Sequence, residues 1–153
     1  MKIILLWIGK TKDPRLGQLV NEYAQRIRHF LEFSILELKP GGGQTPSQIL
    51  DKEEDRLLEK LTDRDFVVLM DPRGMELTSR ELAEWVGEFR DYSGKNLVFV
   101  LGGHIGVGAR VKLRAQRLLS LSRMTLTHEM ARVMLMEQIY RALTIIHHVP
   151  YHK

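Results

Sequence analysis

The pattern of hydrophobic and polar positions along the chain predicts strands that alternate with helices. Short apolar runs at 2–8, 66–70 and 97–101 are typical of strands buried on both faces of a sheet. Residues 33–38 alternate between apolar and polar side chains, which predicts another strand. A further short apolar piece follows at 119–121.

Apolar side chains that recur every three or four positions predict the helices between these strands. The predicted helices cover about 14–31, 47–61 with Ser47 as N-cap, from Thr78 or Ser79 to 89, 107–118, and 127–146. This alternation indicates an α/β fold, with a mostly parallel sheet and helices on both faces. We expect a single domain over residues 1–153, because this length suits one hydrophobic core.

Unusual loops follow two of the predicted strands. Asp71-Pro72-Arg73-Gly74 comes after 66–70, and a glycine-rich segment, residues 102–106 (GGHIG), comes after 97–101. Ligands of parallel sheets bind beyond the carboxyl ends of the strands, so these loops are where we expect a site. The glycines would allow a ligand to approach the backbone closely, but their spacing is not G-x-G-x-x-G. They are equally compatible with a plain turn.

The last predicted helix is apolar on most of its faces, whereas a helix at a protein surface carries one apolar stripe. Its apolar residues are Met130, Val133, Met134, Leu135, Met136, Ile139, Leu143, Ile145 and Ile146. Such a helix is covered on several sides. A central position in a monomer and partial covering by a second subunit explain the pattern equally well.

Composition is that of a globular protein, with 44% hydrophobic and 27% charged residues. The absence of cysteine excludes disulfides, cysteine nucleophiles and thiolate metal sites. The apolar run near the N-terminus is too short for a signal-peptide core or a membrane span. We therefore expect a cytoplasmic protein with no membrane association.

Positive charge is concentrated in the C-terminal third of the chain. The net charge is +4 overall, but residues 100–153 contain an excess of lysine and arginine, while the remainder is slightly acidic. This asymmetry favours a polyanionic partner such as nucleic acid. A solvated basic face without a partner is the simpler alternative.

Metal and hydrolase chemistry have little support in the sequence. The six histidines do not form H-E-x-x-H or a comparable ligand pattern, so we expect no metal. The chain also lacks a G-x-S-x-G elbow, a phosphate-binding Walker loop and a zinc-deaminase signature. Hydrolase and nucleoside-triphosphatase activities therefore have no residues to carry them.

Several motifs nevertheless occur together in one order and spacing. They are residues 100–106 (VLGGHIG), 119–126 (LSLSRMTL), 128–142 (HEMARVMLMEQIYRA) and the terminal 151–153 (YHK). The start Met1-Lys2-Ile3 with Gly9-Lys10, and Asp71 followed by Gly74, extend the pattern over essentially the whole chain. The set closely resembles the RlmH family, the 23S rRNA pseudouridine-N3 methyltransferases of the SPOUT superfamily. One departure is Thr127, where the family commonly has proline.

This resemblance implies a SPOUT fold, in which the C-terminal part threads through a loop to form a deep trefoil knot. The knot loops of such enzymes hold S-adenosylmethionine. By motif position, the cofactor contacts would be Met70, Gly102, Leu121, Ser122, Arg123, Met124, Thr125 and Leu126. The resemblance also implies a homodimer with sites at the subunit interface, which favours covering of the last helix by a partner.

Methylation of N3 requires removal of a proton from the base, so a general base or a positive neighbour should help. His152 is the first candidate for a role at the target base, and Tyr151 beside it would stack or form a hydrogen bond. Arg141, the third candidate, would meet RNA or the other subunit, as would Arg132. The simpler alternatives are that Arg141 and Arg132 pair with Glu137 and Glu129, and that the tail is frayed.

Two other functions remain open at this point. One is a ribosome- or RNA-binding module without enzymatic activity, which predicts salt-dependent RNA affinity and no cofactor binding. The other is a SPOUT methyltransferase that acts on transfer RNA. The short chain has no appended RNA-binding domain, which favours an assembled ribosome and its 23S rRNA as the partner.

Overall fold

The computed structural model describes residues 1–151, and its centre is a parallel β-sheet. The strands are β1 (Lys2–Ile8), β2 (Glu32–Leu38), β3 (Asp65–Glu76), β4 (Asn96–Leu101) and β5 (Arg117–Ser120). Within the described residues they form one sheet in the order β2-β1-β4-β3-β5, and every neighbouring pair is parallel. The predicted α/β class with a parallel sheet is therefore confirmed.

Helices cover both faces of this sheet, as predicted. They are α1 (Pro14–Arg28), α2 (Pro46–Leu58), α3 (Ser79–Tyr92), α4 (Ala109–Arg114) and α5 (His128–Ile146). Helix α5 packs between α1 and α3 on one face, and α2 contacts α4 on the other. On β1, Ile3, Leu5 and Trp7 enter the first core while Leu6 and Ile8 enter the second. Burial on both faces explains why the strands are continuous apolar runs.

The predicted helix over 107–118 is wrong in its length. Helix α4 ends at Arg114, and the chain then becomes β5. The main-chain N–H of Gln116 donates to Val67 O at 2.9 Å, and the Gln116 side chain accepts from Val67 N at 2.7 Å. These bonds draw the segment onto the edge of β3, where Leu118 pairs with Leu69. Hydrogen bonding to an open sheet edge has overridden the helical spacing.

Strand β3 also differs from the prediction, because it does not end at Met70. Residues 71–74 form a bulge, and pairing with β5 resumes at Met75, which lies opposite Leu119 as Met70 does. A Cβ on Gly74 would lie 2.6 Å from Leu119 N. Only glycine therefore lets the bulge lie against β5.

Smaller differences concern the ends of helices. Helix α1 ends at Arg28 instead of 31, and α3 continues to Tyr92 instead of 89. Thr78, one of the two predicted starts of α3, is the N-cap and forms a capping box with Glu81. The predicted start of α5 is confirmed, since Thr127 accepts a hydrogen bond from Met130 N at 3.3 Å.

The N-cap of α2 is Thr45 and not Ser47, so the predicted cap is wrong by two positions. The Thr45 hydroxyl accepts from Gln48 N at 3.2 Å, and the Gln48 side chain returns to the Thr45 main chain. Replacing Thr45 by alanine removes this capping box and should lower the free energy of unfolding by about 1 kcal/mol. Ser47→Ala is the matched control and should leave it unchanged. Urea denaturation of both variants checks this, and equal effects would contradict the assignment.

Helix α5 is the most enclosed helix of the described chain. Leu135, Met136, Ile139 and Leu143 are completely buried, whereas Met130 and Met134 keep 38% of their surface exposed. Its apolar pattern is thus explained largely by α1, α3 and the sheet within one subunit. No helix within residues 1–151 is long and apolar enough to span a membrane.

Candidate active site

A cavity of about 760 Å³ lies at the carboxyl ends of β4 and β5 and borders the bulge of β3. Its wall is drawn from residues within 70–73, 101–107 and 119–128, together with Lys112 and Ala131. The volume is within the usual range for small-molecule sites, about 300–1,000 Å³. Both loops that the sequence marked after strand ends contribute to this cavity. The segment after β5 provides the remaining side.

The loop after β4 is folded tightly on itself. Gly106 N donates to Gly103 O at 3.0 Å, and the two residues form an isolated bridge. Gly106 has φ of +86°, a conformation that favours glycine. No atom lies within 4 Å of the position that a Cβ on this residue would occupy. Gly102 is confined instead, since its Cβ would lie 2.5 Å from Val107 Cγ2 and 2.8 Å from Gly106 O. The loop therefore presents backbone, not side chains, to part of the cavity.

Most of the predicted cofactor-binding residues lie in this cavity wall. Met70, Gly102, Leu121, Ser122, Met124 and Leu126 contribute to it. Arg123 and Thr125 are exposed and are not among the described residues that line the cavity. The Ser122 side chain accepts from Met124 N at 3.0 Å, which shapes the turn after β5. Six of the eight predicted contacts thus border the cavity.

Charged residues also border the cavity. Asp71 is 8% exposed and accepts from the main-chain and side-chain N–H groups of Arg73 at 2.8 and 3.2 Å. Lys112 Nζ lies 3.8 Å from the same carboxylate. The hydrogen bonds from Arg73 hold the pKa of Asp71 below its ordinary value. Asp71 therefore keeps a negative charge at the cavity wall at neutral pH.

His128, at the start of α5, also forms part of the cavity wall. Burial lowers the pKa of its imidazole below 6.5, and the positive charge of Arg132 acts in the same direction. His128 stands at the start of α5, directly after the segment 121–126. That adjacency was the available signal for its position, whereas nothing in the sequence pointed to Lys112.

The lowered pKa of His128 predicts a stability change in acid. Between the folded-state pKa and about 6.5, the unfolded chain binds more protons than the folded protein, so this group destabilises the fold as pH falls. We expect the pH dependence of the unfolding free energy below about pH 6.5 to be shallower in His128→Gln than in the wild type. Urea denaturation at a series of pH values measures this. Parallel curves for the two proteins would contradict it.

The position of Arg132 agrees with neither of the two sequence-based hypotheses. It is completely buried, and its guanidinium donates to Ile8 O at 2.6 Å and to Thr11 Oγ1 at 3.0 Å. It also lies 4.8 Å from the centre of the Trp7 ring. The hypotheses of pairing with Glu129 and of contact with RNA are therefore wrong. Arg132 ties α5 to the end of β1 beside the cavity.

The other candidate catalytic residues lie together, but away from the cavity. Arg141 Nε donates to Glu137 at 3.1 Å, and the Tyr151 hydroxyl donates to the same carboxylate at 3.1 Å. The Arg141 guanidinium lies 4.9 Å from the Tyr151 ring, which also packs edge-on against Tyr140. The predicted pairing of Arg141 with Glu137 is thus confirmed. His152 lies outside the described residues.

The protonation state of this cluster follows from its surroundings. Burial raises the pKa of the Tyr151 hydroxyl, and its hydrogen bond to Glu137 acts in the same direction. Tyr151 therefore stays protonated at neutral pH and is a hydrogen-bond donor, not a base. The Glu137 hydrogen bond also raises the pKa of Arg141, which keeps its positive charge.

The cavity and the cluster are separated by about half of helix α5. Arg141 follows the cavity-lining Ala131 by nearly three helical turns, about 15 Å along the axis at ~1.5 Å per residue. Arg141 and Tyr151 are not among the described residues that line the cavity. Within one subunit, Arg141 and Tyr151 are therefore remote from the cavity.

The basic residues of the C-terminal third are mostly engaged by the protein itself. Arg110 forms ion pairs with Glu54 and Asp55. The Arg114 side chain donates to Thr62 O at 2.6 Å, and the Arg117 guanidinium lies 4.3 Å from the centre of the Trp85 ring. Arg123 Nε lies 3.5 Å from the Glu76 carboxylate. The charge excess seen in the sequence is thus spread over several ion pairs. Within residues 1–151, no group of three or more metal-ligating side chains is arranged to hold a metal ion.

Comparison with known proteins gives the family. The family model described as "Predicted SPOUT methyltransferase" matches residues 1–152. Two similar relatives are named "Ribosomal RNA large subunit methyltransferase H". The protein of Trichlorobacter lovleyi is 43% identical over 152 residues, and that of Phocaeicola vulgatus is 38% identical over 155 residues. Each comparison covers 99% of this chain and 99% of the relative.

Among solved structures, "The structure of a probable methylase family protein from Haemophilus influenzae Rd KW20" is similar, with a TM-score of 0.56. That match covers 99% of this chain and 70% of the other, at 14% identity, so it concerns the fold alone. The match to the relatives, in contrast, covers 99% of each chain at 38–43% identity. The chain therefore belongs to the SPOUT methyltransferase family and, within it, to the RlmH family.

Proposed function

We propose that the protein methylates N3 of a pseudouridine in 23S rRNA, with S-adenosylmethionine as methyl donor. The observation that carries this proposal is the coincidence of two independent features. The chain is similar over its full length to large-subunit ribosomal RNA methyltransferases, and it has a cavity where a parallel sheet binds ligands. One domain, residues 1–153, carries the activity.

The residues of the cavity fit S-adenosylmethionine. Met70 and Leu126 provide apolar surfaces that would flank the adenine ring, and main-chain groups of Gly102 and 121–126 would bind its polar edge. Gly106 borders open space, so a ligand can reach the backbone of its loop. Asp71 supplies a negative charge near the positively charged ligand. When bound, S-adenosylmethionine supplies a methyl group activated by its positive sulfur.

Methyl transfer also requires side chains that hold the target base and accept its N3 proton. We assign these tasks to Arg141, Tyr151 and His152. Arg141 stays charged and would stabilise negative charge that develops on the base. Tyr151 stays protonated and would donate a hydrogen bond or stack. His152 is then the group left to receive the proton.

A homodimer brings the two groups of residues together. Arg141 and Tyr151 lie away from the cavity of their own subunit, which supports completion of the site by a partner's tail. Exposed apolar side chains around the cavity support this arrangement, since Met124 is 78% and Met130 38% exposed. Burial of this rim against a second copy would also close the cavity to water.

The proposal also includes the knot, the ribosomal substrate and the cytoplasmic location that the family resemblance implies. The segments around the cavity would form the deep trefoil knot typical of SPOUT enzymes, with α5 as the element that follows it. The substrate would be the assembled ribosome in the cytoplasm. A second subunit would supply the additional surface that so small an enzyme needs to hold RNA.

Two measurements test the function. Calorimetric titration with S-adenosylmethionine should give specific binding at micromolar concentration, and no binding at millimolar concentration by the folded protein would overturn the proposal. Labelled cofactor is then supplied with ribosomes that contain or lack pseudouridine. Methyl transfer should require pseudouridine in the large subunit. Equal labelling of both preparations, or labelling of transfer RNA only, would contradict the assigned substrate.

A further inference from the structure

Helix α2 contributes a buried carboxylate that has no part in the proposed methyl transfer. Glu54 is 4% exposed, and its Oε2 accepts a hydrogen bond from Val111 N at 3.0 Å. Its Oε1 lies 3.4 Å from Arg110 Nε. Both partners belong to α4, which follows directly after the glycine-rich wall of the cavity. A buried carboxylate is costly unless its partners are well placed, so this contact requires an explanation.

Helix α4 has no cap from its own sequence. It contains six residues, and its N-cap is Gly108, which has no side chain to accept a hydrogen bond. Val111 is the third residue of the helix, the position whose N–H an N-cap side chain usually satisfies. Glu54 therefore takes the place of the missing N-cap side chain, from a different helix.

The glycine at 108 is required by space and not by backbone conformation. Gly108 has φ of −80° and ψ of 176°, which any residue can adopt. A Cβ at this position would, however, overlap with the Glu54 carboxylate. Gly108 and Glu54 thus form a complementary pair, in which the glycine leaves room for the remote cap.

The capping of α4 by Glu54 affects two sides of the cavity. The loop 102–107 forms one wall and enters α4 at Gly108. Lys112, on α4, borders the cavity and faces Asp71 on the bulge of β3. A change in the start of α4 therefore displaces the glycine-rich wall and also separates Lys112 from Asp71.

We propose that Glu54 is a positioning residue for the cofactor pocket, because its carboxylate caps α4 and thereby fixes the loop 102–108. This inference rests on the proposed function, since it assumes that the cavity holds S-adenosylmethionine. Glu54 itself does not line the cavity and acts through α4.

The first test replaces Glu54 by alanine. Affinity for S-adenosylhomocysteine, measured by calorimetry, should fall roughly tenfold, and the turnover number at saturating cofactor should change less. In the protein without ligand, amide hydrogen exchange over 102–111 should accelerate. Asp55→Ala is the control, because Asp55 pairs with the same Arg110 but does not cap the helix. This control should change neither the affinity for S-adenosylhomocysteine nor the amide exchange over 102–111.

The second test separates capping from a general loss of stability. Gly108→Ser alone should weaken binding, because its side chain meets Glu54. In the Glu54→Ala background the same serine has room, can accept from Val111 N, and should restore both the affinity and the amide protection. Failure of serine to rescue, or exchange over 102–111 that is unchanged in Glu54→Ala, would overturn the proposal. A wild-type protein that binds no S-adenosylhomocysteine would instead count against the proposed function.

Discussion

Replacing Gly102 by alanine should weaken S-adenosylhomocysteine binding between about ten- and a hundredfold. The added Cβ meets Val107 Cγ2, which can rotate, and also Gly106 O, which cannot move without reopening the loop. Overpacking of this kind costs about 1–3 kcal/mol, and each ~1.4 kcal/mol corresponds to a factor of ten in affinity. The cost falls on the wall of the cavity, so binding should suffer while the fold persists.

Gly42→Ala is the matched control for this substitution. Its Cβ has no atom within 4 Å, and the residue has no positive φ. Calorimetry should give wild-type affinity for this variant, and circular dichroism should give native spectra for both. If Gly102→Ala bound the ligand as tightly as Gly42→Ala, the loop after β4 would not be part of the cofactor site.

The fold was predictable where one physical constraint decides the local structure. Residues 97–101 form an apolar run because Leu97, Phe99 and Leu101 face one core while Val98 and Val100 face the other. A strand in the middle of a sheet that is covered on both faces buries all five side chains. Position at a strand end then predicted two walls of the cavity, because ligands of parallel sheets collect there.

Prediction failed where distant residues decide the local structure. The segment after Arg114 has helical spacing, but Gln116 bonds to both main-chain groups of Val67, nearly fifty positions earlier. Residues 71–74 have the composition of a turn, yet β5 extends the pairing of β3 past them. A local pattern holds no information on which sheet edge is free to accept another strand.

Arg132 and the basic third of the chain illustrate the same limit for function. An arginine on a helix is expected at the surface, but the carbonyl of Ile8 and the ring of Trp7 make a buried position available. Most of the positive charge counted in the sequence is likewise engaged by local carboxylates and aromatic rings. The RNA substrate is therefore supported by the family, and charge adds little to it.

At a cofactor concentration that saturates the wild type but not Gly102→Ala, mixed dimers should recover activity that two variants have each lost. Gly102→Ala damages the cavity, and His152→Ala removes the group proposed to accept the proton, which should lower turnover at least roughly a hundredfold. If the tail of one subunit serves the cavity of the other, a heterodimer of these variants has one intact site and one doubly damaged site. Random exchange of equal amounts then restores about a quarter of the wild-type activity.

The geometry of α5 makes this outcome different from that of a site within one subunit. Arg141, held by Glu137 beside Tyr151, lies about 15 Å along α5 from the cavity-lining Ala131 at ~1.5 Å per residue, so we expect that a tail cannot rescue its own subunit. A site within one subunit would leave every site of the mixture damaged. Methyl transfer to ribosomes is measured before and after subunit exchange, with unmixed variants carried through the same steps. Recovery requires shared sites, and a mixture as inactive as its components would refute the assignment of the tail to the partner's cavity.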